Sequence, residues 1–306
     1  MYKFNKILVA LDLSAIDSQL IESACTICDI FPPKEIIFIN VIRDFDFPEE
    51  LLKEFPGLLE KALEERKATI EKQVEKHFTC GEVKIHIVIK QGQATKEIMK
   101  YSAEKKVDLI VLGRKNEKKG GGTLISRLTR RASCSLLVIP KDTKLKFDKI
   151  LVPIDFSSYS RMALEKALTI ARNLKYTPKI ITQNVYHVPS GYHYTGKTYE
   201  EFSETMKENA KVDYQKFTSP LNLKNIKIEA TYTLDKDDDV IGDINKKAKS
   251  IKADVIVIGA KGRTATAAIF IGSKAEKLIQ QDDNVPLMVI RPKGKTAGIL
   301  EYLKEI

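Results

Sequence analysis

An internal duplication restricts the fold of this chain more than any other feature. Lys6-Ile7-Leu8-Val9-Ala10-Leu11-Asp12-Leu13-Ser14 returns as Lys149-Ile150-Leu151-Val152-Pro153-Ile154-Asp155-Phe156-Ser157. Both runs are short and apolar, read as buried parallel strands, and end in Asp-x-Ser ahead of a helical segment. A second strand ends in Asn40-Val41 in one half and in Asn184-Val185 in the other. Further on, Val107-Asp108-Leu109-Ile110-Val111-Leu112-Gly113 answers Ala253-Asp254-Val255-Ile256-Val257-Ile258-Gly259, and each half closes with an apolar strand, Leu136 to Pro140 and Leu287 to Pro292. Repetition on this scale means one architecture built twice.

Between the strands, helical periodicity covers Ser18 to Phe31, Pro48 to His77, Ala94 to Lys106 and Leu124 to Ala132 in the first half. In the second it covers Ser158 to Leu174, Tyr199 to Phe217, Asp239 to Ile251 and Ser273 to Gln280. Strict strand–helix alternation predicts an α/β protein, with five parallel strands per half covered by helices on both faces. The polar stretch Lys141 to Lys146 reads as the linker, which sets the domains at 1–143 and 144–306. So short a linker predicts that the halves pack as an intramolecular pseudo-dimer, and a homodimer of the whole chain is a further expectation. The tail from Thr296 to Ile306 is a candidate amphipathic helix.

The remaining composition excludes more than it assigns. No run of about 18 apolar residues is present, so no membrane span is expected. The start shows no signal-peptide pattern, which gives a cytoplasmic expectation. A net charge of +10 favours anionic ligands in general. Much of it is scattered lysine, and no zinc finger, RNA-recognition sequence or continuous basic helix argues for nucleic acid. Cys25 and Cys28 form a C-x-x-C within a helical run, without the second pair a metal site needs, and read as buried reduced thiols. Cys80 and Cys134 read as isolated structural residues.

The stretch with chemistry in it follows the strand Asp254 to Ile258. Gly259-Ala260-Lys261-Gly262 is followed by a nine-residue arm and then Gly272-Ser273, ahead of the helical run from Lys274. Strand, glycine loop and helix start together present backbone N–H groups and the positive end of a helix dipole to an anion. Glycine admits close approach of a phosphate. Ser273 is placed to cap the helix or to donate to a phosphate oxygen. Asp155, Val185 and Gly259 all end strands, where open α/β sheets bind ligands.

In these residues the C-terminal half resembles the universal stress protein family in its nucleotide-binding form. That form carries Gly-x2-Gly-x9-Gly-(Ser/Thr), the spacing of Gly259, Gly262, Gly272 and Ser273, and its first strand looks like Pro153-Ile154-Asp155-Phe156-Ser157. The resemblance covers nearly the whole chain as two tandem copies. It implies two adenine nucleotide α-hydrolase-like, Rossmann-like sandwiches and an ATP cradle in the second. On that resemblance Pro153 and Val185 border the adenine, and Asp155 lies near the ribose, the phosphates or their Mg²⁺. Gly259 and Gly262 approach the ribose and phosphates, while Gly272, Ser273 and Lys274 hold the phosphates. Arg263 is added from charge and position alone. The alternative role for Asp155 is to cap the following helix.

The first half departs from the pattern. After Gly113, Asn116 replaces the second glycine and the arm shortens before Gly122-Thr123, so its capacity for ATP is expected to be largely lost, with Asp12 and Val41 as vestiges. Its basic stretch, Arg114 to Arg131, reads either as an anion-binding loop or as a solvated face.

No P-loop, no Gly-x-Gly-x-x-Gly and no Gly-x-Ser-x-Gly elbow is present, and neither Asp-x-Ser turn supplies a pyrophosphatase loop. Three readings remain open: an ATP-binding stress-response module acting through association with partners, with slow or no hydrolysis; a Mg-dependent ATP hydrolase or phosphotransferase using Asp155; and a ligand-free interaction protein.

Overall fold

In a computed structural model of the protein the described residues are 3–43, 45, 47–115, 121–223, 226–261, 277–278 and 285–292. The chain divides into two compact units, built from Met1–Lys144 and Leu145–Arg291. In the first, β1 (Lys6–Leu11), α1 (Asp17–Ile30), β2 (Glu35–Ile42), α2 (Glu49–Glu54), α3 (Leu58–His77) and β3 (Lys84–Gln91) lead to α4 (Ala94–Glu104), β4 (Leu109–Arg114), α5 (Gly121–Arg131) and β5 (Ser135–Pro140). The second contains β6 (Lys149–Ile154), α6 (Ser158–Asn173), β7 (Lys179–Tyr186) and a 3-10 turn at Ser190–Thr195. It continues through α7 (Tyr199–Thr218), β8 (Ile228–Leu234), α8 (Val240–Ile251), β9 (Val255–Gly259) and β10 (Leu287–Ile290).

The strands of unit one lie in the order β3-β2-β1-β4-β5, and those of unit two in the order β10-β9-β6-β7-β8. All these pairings are parallel. The inner strands are chiefly apolar because helices cover both of their faces: every residue of β9 is buried. The outer strands β3 and β8 lie half-exposed and interpose Lys, His, Glu and Thr among their apolar residues, which blunts an open edge. Helix α1 turns Leu20, Ile21, Ala24, Ile27 and Ile30 inward, the three- and four-residue spacing of one helical face.

Two details depart from the sequence reading. The run from Pro48 to His77 is two helices, not one. Pro56 disfavours helical geometry at Phe55, which sits at φ −120°, ψ 76°, and Gly57 takes φ +88° ahead of α3. Cys80 is not isolated either, because the neighbouring Thr79 N–H donates to Cys25 Sγ at 3.3 Å and both Cys25 and Cys28 act on its thiol. The expected helix from Ser273 to Gln280 lies outside the described residues except for Lys277 and Leu278, which are helical. The tail from Thr296 lies outside them entirely.

Candidate nucleotide site at the carboxyl edge of the second unit

In unit two the chain leaves β6 for β7 and β8 on one side, then returns to β9 on the other. The order therefore reverses between β6 and β9, which opens a crevice at their carboxyl ends. Pro153 is buried near the end of β6 and Asp155 is half-buried just beyond it. Gly259, buried, ends β9, and Val185, half-buried, lies at the end of β7. The fold thus brings these four to one edge. Gly262, Arg263, Gly272, Ser273 and Lys274 lie outside the described residues.

The duplicated sequence performs duplicated structural work around this edge. Asn184 Nδ2 donates to the Ile154 carbonyl at 3.0 Å, and Asn40 Nδ2 donates to Leu11 at 2.8 Å. Each asparagine ties the second strand of its unit to the end of the first. At the other end, Asp254 Oδ2 accepts the Lys149 N–H at 2.7 Å, as Asp108 Oδ2 accepts those of Asn5 and Lys6.

The turn after β6 fixes Asp155. Its Oδ1 accepts the Ser157 N–H at 3.1 Å, an Asx turn. Ser157, not Asp155, caps α6, with its Oγ accepting the Ser160 N–H at 3.1 Å. Asp155 precedes the cap by two residues and so cannot fill it. Phe156 between them is left-handed at φ 62°, matching Leu13 at φ 61° in unit one. For a bulky residue this costs about 1–3 kcal/mol. Packing of the Phe156 ring edge-on against Phe217, with centroids 5.7 Å apart, offsets part of that cost.

Gly259 has a structural reason of its own. A Cβ there would stand 2.6 Å from the Tyr159 carbonyl carbon and oxygen, at the start of α6. Helix and strand approach so closely that no side chain fits, whether or not a ligand is bound.

The matching edge of unit one is built differently. Lys115 Nζ lies 2.6 Å from Asp12 Oδ2, which joins the ends of β4 and β1. Burial works to raise the Asp12 carboxyl, but hydrogen bonds from Lys115 and Ser14 outweigh it and hold it below its ordinary value. Asp17, buried at the start of α1, accepts the N–H groups of Asp12 and Leu13 at 3.1 and 2.7 Å. Burial pushes its carboxyl up to about 6. In the repeat, the position of Asp17 falls on Ser160, whose hydroxyl donates to the Ser157 carbonyl at 3.0 Å. The turn at the edge of unit one thus carries two carboxylates, Asp12 paired with Lys115 and Asp17 buried on the turn amides, and that of unit two carries one carboxylate with a neutral hydroxyl.

Sequence reasoning passed over Asp17 and its neutral counterpart. It also passed over Lys261, which follows β9 where Lys115 follows β4 and is 7% exposed. Counting from Asp12 and Asp155 pairs Asp17 with Ser160, and counting from Gly113 and Gly259 pairs Lys115 with Lys261.

The donor set suits one kind of metal. A single carboxylate, fixed by the Ser157 N–H, fits Mg²⁺ whose other ligands are phosphate oxygens and water. Among the described residues no group of three or more His, Cys, Asp or Glu could hold a metal ion. Among them, too, no helix is long and apolar enough to cross a membrane.

Parallel sheets with a strand-order reversal at the carboxyl edge, repeated in tandem, define two Rossmann-like sandwiches of the adenine nucleotide α-hydrolase type. The sequence profile described as "Universal stress protein family" matches residues 3–140 and again 146–291, and the chain belongs to that family. Solved structures agree on the fold. A universal stress protein from Archaeoglobus fulgidus DSM 4304 aligns with TM-score 0.68 at 18% identity, over 96% of this chain and 100% of its own. A putative universal stress protein from Pseudomonas aeruginosa UCBPP-PA14 aligns with TM-score 0.64 at 16% identity, over 99% and 97%. Comparison with the curated proteins finds no match.

Proposed function

We propose that the second unit binds ATP at the carboxyl edge between β6 and β9, and that bound nucleotide governs association with partners. One observation carries this reading. Pro153, Asp155, Val185 and Gly259 meet at the edge where the strand order reverses, and the glycine–serine pattern continues directly from Gly259. In this reading Pro153 and Val185 flank the base, and Asp155 holds Mg²⁺ against the phosphates. Gly262, Gly272, Ser273 and Lys274 supply backbone and side-chain donors to the phosphates, with Arg263 adding charge. Mg²⁺, when bound, neutralises phosphate charge. Hydrolysis is slow or absent, because Asp155 is committed to the turn and to the metal. The protein acts as a cytoplasmic stress-response module that self-associates.

Calorimetric titration of the full chain with ATP and Mg²⁺ tests the site. The expected result is one ATP per chain, with affinity lowered at least about tenfold, or 1.4 kcal/mol, by Gly272→Val. Unchanged affinity in that variant would remove the loop from the account.

The fixed carboxylate of Asp155 also supports a second reading, a Mg-dependent hydrolase or phosphotransferase. Phosphate release that is rapid in the wild type and lost in Asp155→Ala would favour it. A protein that purifies without nucleotide and takes none up would be the ligand-free interaction protein.

A further inference from the structure

Three of the four cysteines gather at the amino-terminal end of the first sheet, opposite its carboxyl edge. Cys25 and Cys28 lie in the last turns of α1, and Cys80 lies in the connection from α3 to β3. The Thr79 N–H donates to Cys25 Sγ at 3.3 Å, and that sulfur lies 4.0 Å from the His77 carbonyl oxygen. The thiols of Cys28 and Cys80 lie near enough for each to shift the other's ionisation, and Cys25 acts on Cys80 as well. All three are half-buried, within reach of a small oxidant, whereas Cys134 is buried. Among the described residues no group of three or more His, Cys, Asp or Glu is placed to hold a metal ion, so the chemistry open to these thiols is that of sulfur with sulfur.

We propose that Cys28 and Cys80 form a reversible disulfide, with a peroxide as oxidant, that staples the end of α1 to the connection entering β3. One thiolate attacks the peroxide O–O bond, giving a sulfenic acid and hydroxide, which takes up the thiol's proton and leaves as water. The second thiol then displaces the sulfenic oxygen, forming the S–S bond and releasing a second water. Two thiols lose two electrons and two protons in all, and one peroxide becomes two waters. With the Thr79 N–H bonded to Cys25 Sγ at 3.3 Å, the last turns of α1 already pack against the segment that carries Cys80, so the two thiols are brought together by elements in contact.

The surroundings set the pace. Burial pushes the Cys28 thiol up to about 11, and burial together with the neighbouring thiols raises that of Cys80 further. Thiolate is the nucleophile, so the pair stays reduced under trace peroxide and closes under sustained exposure.

Peptide mapping of the full chain tests this. After hydrogen peroxide, free thiols are blocked with N-ethylmaleimide in denaturant and the protein is digested without reduction. The expected product joins the α1 peptide to that of the α3–β3 connection through Cys28 and Cys80, disappears with dithiothreitol and leaves Cys134 alkylated. Cys80→Ser removes the cross-link, and Cys134→Ser leaves it in place. Peroxide-treated wild-type protein with all three thiols alkylated, carrying only added oxygen, or linked only between chains would overturn the proposal.

Discussion

Gly259 and its counterpart Gly113 differ in what an added methyl group would meet. At Gly259 a Cβ meets the Tyr159 backbone at 2.6 Å, and backbone at the start of a helix has nowhere to move. At Gly113 it meets Ile16 Cδ1 at 2.8 Å, the far end of a side chain that can change rotamer. Gly259→Ala is therefore expected to cost about 1–3 kcal/mol of stability, and Gly113→Ala less than about 1 kcal/mol. Urea unfolding of the two variants checks this, and an equal or reversed ranking would contradict the packing argument. The sequence places Gly259 in a ligand loop, yet the fold requires a glycine there before any ligand arrives. That requirement is not visible in the sequence because Tyr159 lies a hundred residues away in the chain and meets Gly259 only when α6 packs on β9.

The turn joining β1 to α1 carries its own pH signature. Asp17 is ordinarily ionised above 3.8, but burial in the folded turn moves that to about 6. Between those values the native state holds a proton that the unfolded chain has released. The contribution of Asp17 is thus most favourable below about pH 3.8, falls as pH rises through the window, and levels off above about 6. Asp17→Asn keeps an oxygen for the N–H groups of Asp12 and Leu13 and should remove this slope. Denaturant midpoints from pH 4 to 7 for both proteins would show it, and parallel curves would contradict it.

Elements of this kind divide what sequence reveals from what it hides. The inner strands were legible because burial on both faces leaves runs of Ile, Leu and Val, whereas the half-exposed β3 and β8 followed only from the alternation of elements and had no bounds. Among the described residues the expected helices came through with ends shifted by up to three residues, since capping depends on local geometry. The break at Pro56-Gly57 was written in the sequence but lost within a long amphipathic run. The cap at Ser157 was hidden because Asp155 is an equally good capping residue two positions earlier, and only the left-handed Phe156 decides between them. The thiol cluster was hidden because α1 and the α3–β3 connection are distant in the chain.

At the scale of the whole molecule, the duplication has kept one scaffold and altered what each carboxyl edge offers. Both units retain the Asn tie, the Asp anchor and the left-handed turn. At the edge of unit one, Asp12 and Asp17 surround the turn amides and Lys115 closes on Asp12, whereas unit two presents Asp155 beside Ser160. Under the proposed function, the charge arranged at each edge, rather than the shared fold, is what sets the two units apart toward a triphosphate. Photoaffinity labelling of the intact chain with 8-azido-ATP and Mg²⁺, followed by peptide mapping, tests that claim most directly. Labelled peptides should come from residues 145–291, around Pro153 and Val185, and should vanish with excess ATP. Label confined to residues 3–140 would contradict the account.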